Sequence, residues 1–275
     1  MTLFGYIPRK TPIHALTGAS KLLLTLALSV SAMITFDTRF LVLVIVISIA
    51  LFAAAKLRLK EFKTVLILFV IFMVINNLAI YLFAPEQGVL IYGTRNEILF
   101  ITERYRITSE QLFYQLNVTL KYFSIVPVAL IFFLTTDPGE FASSLNAIKV
   151  NYKVAYAVSL SLRYIPDVQR AYREISQAQQ ARGVDISKKA RLRARLTGIL
   201  AILFPLVFSS MDKIELISNA MELRGFGRLK RRTWYSARAF SKGDFAVIGL
   251  SVLCILLSVL TLVINGGRFY NPFIN

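Results

Sequence analysis

The sequence predicts an all-α integral membrane protein with about five transmembrane helices, a cytoplasmic domain of amphipathic helices and a small extracytoplasmic β-hairpin. Three observations carry that prediction. The chain of 275 residues is 56% hydrophobic, and its apolar residues gather into five long runs. It nevertheless has a formal charge of +17, a pairing that soluble globular domains rarely show. Of its 32 Lys and Arg residues, 26 fall on one alternating set of flanks of those runs.

A bilayer core of about 30 Å needs about 20 apolar residues per helix, and fewer where flanking Lys or Arg side chains snorkel. The qualifying runs are residues 19–36, 40–55, 65–84, 112–135 and 245–264. Only Asp37-Thr38-Arg39 separates the first two, which predicts a tight hairpin. The first run feeds the second after that three-residue break rather than ending in a small-residue cleavage site, so no removed signal peptide is expected. Positively charged short segments stay on the cytoplasmic side. The basic flanks hold Arg9, Lys10, Lys21, Lys56, Arg58, Lys60 and Lys63, together with all the Lys and Arg of residues 137–243, whereas the other flanks hold Arg39, Arg95, Arg104, Arg106 and Arg268. The expected topology therefore has the N-terminus cytoplasmic and the C-terminus outside.

Between the third and fourth runs, Val89-Leu90-Ile91-Tyr92 and Ile98-Leu99-Phe100-Ile101 flank Gly93-Thr94-Arg95-Asn96. This reads as two strands and a turn, an outer hairpin within residues 85–111. Thr108, three residues before Gln111, has the spacing of a capping box opening the fourth span.

Residues 137–243 carry nineteen Lys and Arg against eight Asp and Glu, with apolar patches too short to cross a bilayer. Such segments read as amphipathic helices lying at the membrane or against partners. A short helix is expected to begin at Asp137-Pro138-Gly139-Glu140, with Asp137 as N-cap, Pro138 in the first helical position and Glu140 closing a capping box. Two long helices are expected over 152–182 and 194–224, with Pro166 and Pro205 as candidate kinks. The domain division is thus 1–136, 137–243 and 244–275.

Both long helices end alike, in Gln180-Ala181-Arg182-Gly183 and Glu222-Leu223-Arg224-Gly225. Glycine suits the left-handed residue after a helix, and arginine favours the negative end of the helix dipole, so each sequence can be a C-cap and nothing more. Two such ends, 42 residues apart on one expected face of the membrane, point beyond capping.

Around these ends the chain resembles the transmembrane (T) components of energy-coupling factor importers of vitamins and metals, whose signature is a pair of short Ala-Arg-Gly-like motifs ending two coupling helices. The resemblance extends over Lys21-Leu22-Leu23-Leu24, Thr135-Thr136-Asp137-Pro138, Ser161-Leu162-Arg163-Tyr164-Ile165-Pro166 and Ala220-Met221-Glu222-Leu223-Arg224-Gly225. It departs at Leu223, where a small residue is usual. The resemblance implies a multi-pass protein of a prokaryotic cell membrane that is no enzyme. It implies partnership with two ABC ATPases, which bind ATP and Mg, and with a small substrate-binding membrane protein, the S component. This chain would bind no cofactor, and Ala181, Arg182, Gly183, Leu223, Arg224 and Gly225 would be the ATPase-coupling residues. Independently, the chain has no G-x-x-x-x-G-K-[ST] phosphate loop, so an ATP-driven role needs an ATPase on another chain. Ile199, Leu200, Ile202, Leu203, Leu206 and Val207 are candidates either for contact with the S component or for packing against this protein's own spans.

Other readings stay open. A conventional ABC permease would form the substrate path itself, though it normally presents one coupling loop. A polytopic membrane enzyme needs clustered carboxylates, cysteines or histidines, and here His14 and Cys254 are the only members of their kind, which also leaves no metal site. Lys121, Asn76 and Asn77 lie inside apolar runs, where polar groups face other helices or water, an ion path being the sharper alternative for Lys121. The basic run of Lys188, Lys189, Arg191, Arg193 and Arg195, and that of Arg228, Lys230, Arg231 and Arg232, read as lipid-headgroup contacts. No nucleic-acid-binding fold surrounds them, and no nucleic-acid partner is expected.

Overall fold

The computed structural model describes residues 9–100, 102, 105–185, 192–229, 233–234 and 238–273. The chain divides into two compact units, residues 1–144 with 237–275, and residues 145–236.

The first unit is built from α1 (Pro12–Ala15), α2 (Gly18–Ile34), α3 (Thr38–Ala55), α4 (Leu59–Phe83), α5 (Gln87–Tyr92), β1 (Glu97–Phe100), β2 (Arg106–Thr108), α6 (Ser109–Thr135), most of α7 (Pro138–Ala147) and α10 (Lys242–Ile264). Helices α3, α6, α10 and the Lys60–Phe83 stretch of α4 are long and apolar enough to cross a membrane, and α2, at 17 residues, is a shorter apolar helix. Helix α2 is the centre of the unit, packed against α10 and α6. Its Leu24 and Leu28 meet Phe40 and Val44 of α3, Val128 of α6 and Cys254 of α10 in one buried cluster.

Three polar devices hold α2 in place. At its start, the buried Asp244 carboxylate accepts through Oδ1 from Thr17 N (2.8 Å), Thr17 Oγ1 (2.9 Å) and Ser20 Oγ (2.5 Å). Through Oδ2 it accepts from the backbone N–H and hydroxyl of Ser241, each at 2.7 Å, closing a capping box on α10. One carboxylate thus satisfies donors at two helix N-termini. One turn into α2, the buried Lys21 donates to Thr135 O at the end of α6 (2.8 Å) and pairs with Glu140 of α7 at 3.4 Å. At its far end, Lys121 donates to Met33 O (3.1 Å), and Arg268 donates to Met33 O (2.9 Å) and Ile34 O (3.1 Å). These cations satisfy carbonyls that a helix terminus leaves open and lie at the negative end of its dipole. The Lys121 ammonium also stands 3.6 Å over the Phe36 ring. Its structural role is therefore visible.

Helix α4 lies at the periphery, with only 6% of its apolar window buried. It touches α6 through Phe69 on Phe123 and Phe72 on Tyr122. Asn77 turns inward, its amide donating to Met73 O (2.9 Å) and Thr119 Oγ1 (3.1 Å), while Asn76 Oδ1 is buried without a hydrogen-bond partner among the described residues.

The structure corrects the hairpin expectation in part. Val89-Leu90-Ile91-Tyr92 is helical, in α5, and β1 pairs instead with β2, antiparallel. Ile101 lies outside the described residues. The reason is tertiary. Gly88 approaches α6 so closely that a Cβ there would come within 2.4 Å of Glu110 O, and its N–H donates to Gln111 Oε1 (2.8 Å). The buried Glu110 carboxylate accepts from Thr94 Oγ1 (2.9 Å) and from the backbone N–H and amide of Asn96, holding the expected turn against α6. An apolar run of four has no period that separates strand from helix, so these contacts decide. The capping boxes at Thr108 and Asp137 form only in half. Gln111 reaches Gly88 and Ala84, and Glu140 reaches Lys21 and Arg238 (2.8 Å) instead of their own N-caps.

The second unit consists of α8 (Tyr152–Ala181) and α9 (Leu192–Leu223) with the chain around them. Pro166 and Pro205 lie inside continuous helices.

Candidate functional site: two arginine-tipped helix ends

Helix α8 starts at Asn151, whose side chain accepts from Lys153 N (2.9 Å). It then runs for 30 residues, of which only Tyr152, Ala155 and Ser176 are buried. Helix α9 is as bare, with Ile202 its only buried large apolar residue among those described. The two pack against each other in opposite directions. One crevice is lined by Leu160 to Ala171 on the first and Ser210 to Met221 on the second. A second crevice is displaced toward the start of α8, at Tyr156, and the end of α9, at Arg224.

The two ends are built by one hydrogen-bond pattern. At the end of α8, Gly183 adopts φ +85°, its N–H donates to Gln180 O (2.9 Å) and Val184 N donates to Gln179 O (3.0 Å). At the end of α9, Gly225 adopts φ +66°, its N–H donates to Glu222 O (2.8 Å) and Phe226 N donates to Met221 O (2.9 Å). Both are Schellman caps, and each leaves an arginine as the last half-helical residue. Ala181, Arg182, Gly183, Leu223 and Arg224 are exposed, and Gly225 is half-buried. Leu223, the departure from the small residue, is 90% exposed, so its extra bulk meets nothing within this chain. Neither arginine side chain has an ion-pair or hydrogen-bond partner among the described residues.

The ends are anchored differently. Phe226, directly after the second cap, lies 4.8 Å from the Tyr156 ring and 5.8 Å from the Tyr152 ring, so the tip of α9 rests on the first turns of α8. Tyr156 is also tilted against Trp234, whose Nε1 donates to Asn146 Oδ1 (3.0 Å). Arg182 lies 26 residues beyond Tyr156, roughly 40 Å of helix at 1.5 Å per residue. The two guanidinium groups are therefore too far apart to share one acceptor. Phe226 and Trp234 went unremarked in the sequence, although an apolar residue just after a C-cap glycine is the usual hydrophobic element of the Schellman motif. We expect Phe226→Ala to raise amide exchange of residues 224–229 about tenfold while residues 178–184 are unchanged. Equal protection in the variant would show that the aromatic contacts do not hold the tip.

Of the candidate apolar contacts, Ile202 is buried, Leu206 half-buried, and Ile199, Leu200, Leu203 and Val207 are exposed at 47–49%. Phe204, Phe208 and Met211 extend the same bare apolar surface. Arg193, Arg195 and Arg228 are exposed, whereas Lys188, Lys189, Arg191, Lys230, Arg231 and Arg232 lie outside the described residues. Among the described residues no group of three His, Cys, Asp or Glu side chains could hold a metal ion.

Residues 9–235, which include both arginine ends, match the family described as cobalt transport protein (CbiQ). The chain is 29% identical over 206 residues to the energy-coupling factor transporter transmembrane protein EcfT of Exiguobacterium sibiricum, covering 72% of this chain and 74% of that one. It is 28% identical over 269 residues to the EcfT of Lactococcus lactis subsp. cremoris, covering 94% and 96%. The EcfT of Bacillus selenitireducens is 26% identical over 256 residues, covering 90% and 92%.

Proposed function

The chain belongs to the CbiQ cobalt transport protein family, which includes the transmembrane components of energy-coupling factor transporters, and from that premise we propose how it works. It is a non-catalytic scaffold in a prokaryotic cell membrane, N-terminus cytoplasmic and C-terminus outside, joining two ABC ATPases to a small membrane protein that binds a vitamin or metal ion. ATP and Mg are bound by the ATPases, and this chain holds no cofactor. The observation that carries the reading is the pair of identically capped helix ends, each presenting an exposed arginine with no ion-pair or hydrogen-bond partner among the described residues. One end serves each ATPase. Guanidinium offers carboxylates a fixed fork of donors, which orients the docked helix as well as holding it.

Driven by closure and reopening of the ATPases on ATP, the two helices act as levers, and the bare apolar face of α9 around Leu203 and Val207 passes their movement to the substrate-binding protein. Exposed apolar patches of this kind mark interaction surfaces. The placement of residues 137–243 in the cytoplasm rests on the distribution of Lys and Arg.

The test is affinity purification of the tagged chain from its native membranes in mild detergent. Recovery of two ATPases and a small membrane protein is expected. Recovery with ATPases but no small membrane protein would instead favour a conventional permease, and recovery of the chain alone would overturn the coupling role.

A further inference from the structure

The two arginine ends differ in what stands beside them. Arg224 lines a crevice of about 520 Å³ between the start of α8 and the end of α9, and a second arginine, Arg163 of α8, lines it too. Neither guanidinium has an ion-pair or hydrogen-bond partner among the described residues. Asp167 also lines the crevice, but Arg170 on the next turn engages it at 2.5 Å. The crevice thus presents two guanidinium groups on facing helices, neither paired among the described residues, with the Tyr156 and Tyr164 side chains in its walls. Like charges held in one recess repel, and that repulsion becomes attraction when an anion enters. Arg182 lines neither of the crevices between α8 and α9.

We infer that Arg163 is a second anchoring residue, and that the α9 end receives an acidic segment of one ATPase presenting two carboxylates, one for each guanidinium. This rests on the coupling role proposed above and adds an asymmetry to it: Arg224 shares a crevice with a second arginine, whereas Arg182 lines neither of the two crevices described. The occupant is a short run of side chains. The residue was visible in the sequence within Ser161-Leu162-Arg163-Tyr164, but only the antiparallel packing of α8 on α9 brings it to Arg224.

The experiment immobilises the full chain in detergent and titrates it with the ATPases recovered with wild type. Arg163→Ala, Arg224→Ala, Arg182→Ala and the two doubles containing Arg163→Ala are compared, with Arg163→Gln in parallel and helicity and elution volume as folding controls. Arg163→Ala and Arg163→Gln are each expected to weaken binding ten- to a hundredfold. Adding Arg163→Ala to Arg224→Ala is expected to cost little more than Arg224→Ala alone, because both serve one acidic segment, whereas with Arg182→Ala the losses multiply. Wild-type affinity in both Arg163 variants, with Arg224→Ala defective, would overturn the socket and leave the coupling role standing. The same holds if the Arg163 and Arg224 losses multiply independently. Wild-type affinity in every variant would overturn both.

Discussion

Arg182→Glu/Arg224→Glu is expected to leave the chain folded in the membrane and to lose the ATPases altogether. Both side chains are exposed, and reversing their charge removes no ion pair or hydrogen bond among the described residues. In the complex each would pair with carboxylates, and truncating one partner of such a pair costs roughly 2–5 kcal/mol. Two independent sites would lose about 4–10 kcal/mol even before the new repulsion is counted, roughly a thousandfold or more in affinity. The caps themselves are made by backbone groups and by glycines at positive φ, so the helix ends keep their shape. Co-purification checks this, with transport of the substrate by whole cells as the second readout. A double variant that retained both ATPases and full transport would remove the central claim about these residues.

The largest effect on stability is expected from Asp244→Ala. The carboxylate is fully buried and accepts from Thr17, Ser20 and Ser241, joining the start of α2 to the start of α10. Hydrogen bonds to charged groups contribute about 1.5–3 kcal/mol each, and removing their acceptor leaves buried donors unsatisfied. Not all of that is additive, because the hydroxyls can turn to other acceptors, and a net loss of about 3–5 kcal/mol is expected. In a chain of this length that lowers the melting temperature in detergent by on the order of 10 °C. Asp244→Asn keeps one acceptor oxygen and should lose roughly half as much. Melting of Asp244→Ala within 2 °C of wild type, about the resolution of such a scan, would show that the network does not hold these helices together.

Much of this was legible locally. The apolar runs marked the five long helices of the first unit to within a few residues at most ends, because helix length and apolar content are set by the sequence itself. At the start of α4 the helix begins six residues earlier than the run at 65, and the non-helical backbone of Phe62 separates the extra turn. The repeated Arg-Gly ends were legible for the same reason: a C-cap depends on a few adjacent residues, and glycine at positive φ is a local requirement.

What escaped sequence reading lies in contacts between distant residues. Nothing near Val89 says that Gly88 must nest against Glu110, and without that contact an apolar run of four fits a strand as well as a helix. The purpose of Lys121 is likewise invisible until α6 places it at the last carbonyls of α2, which turns a costly charge in an apolar helix into a cap. The sequence by itself determined the class of protein, the helices and the two arginine ends, through composition, run length and capping chemistry. Which polar groups meet, and that Arg163 shares a crevice with Arg224, was decided by the packing of helices whose residues are far apart in the chain. Backbone propensity carries no record of such neighbours, because they exist only once the chain has folded.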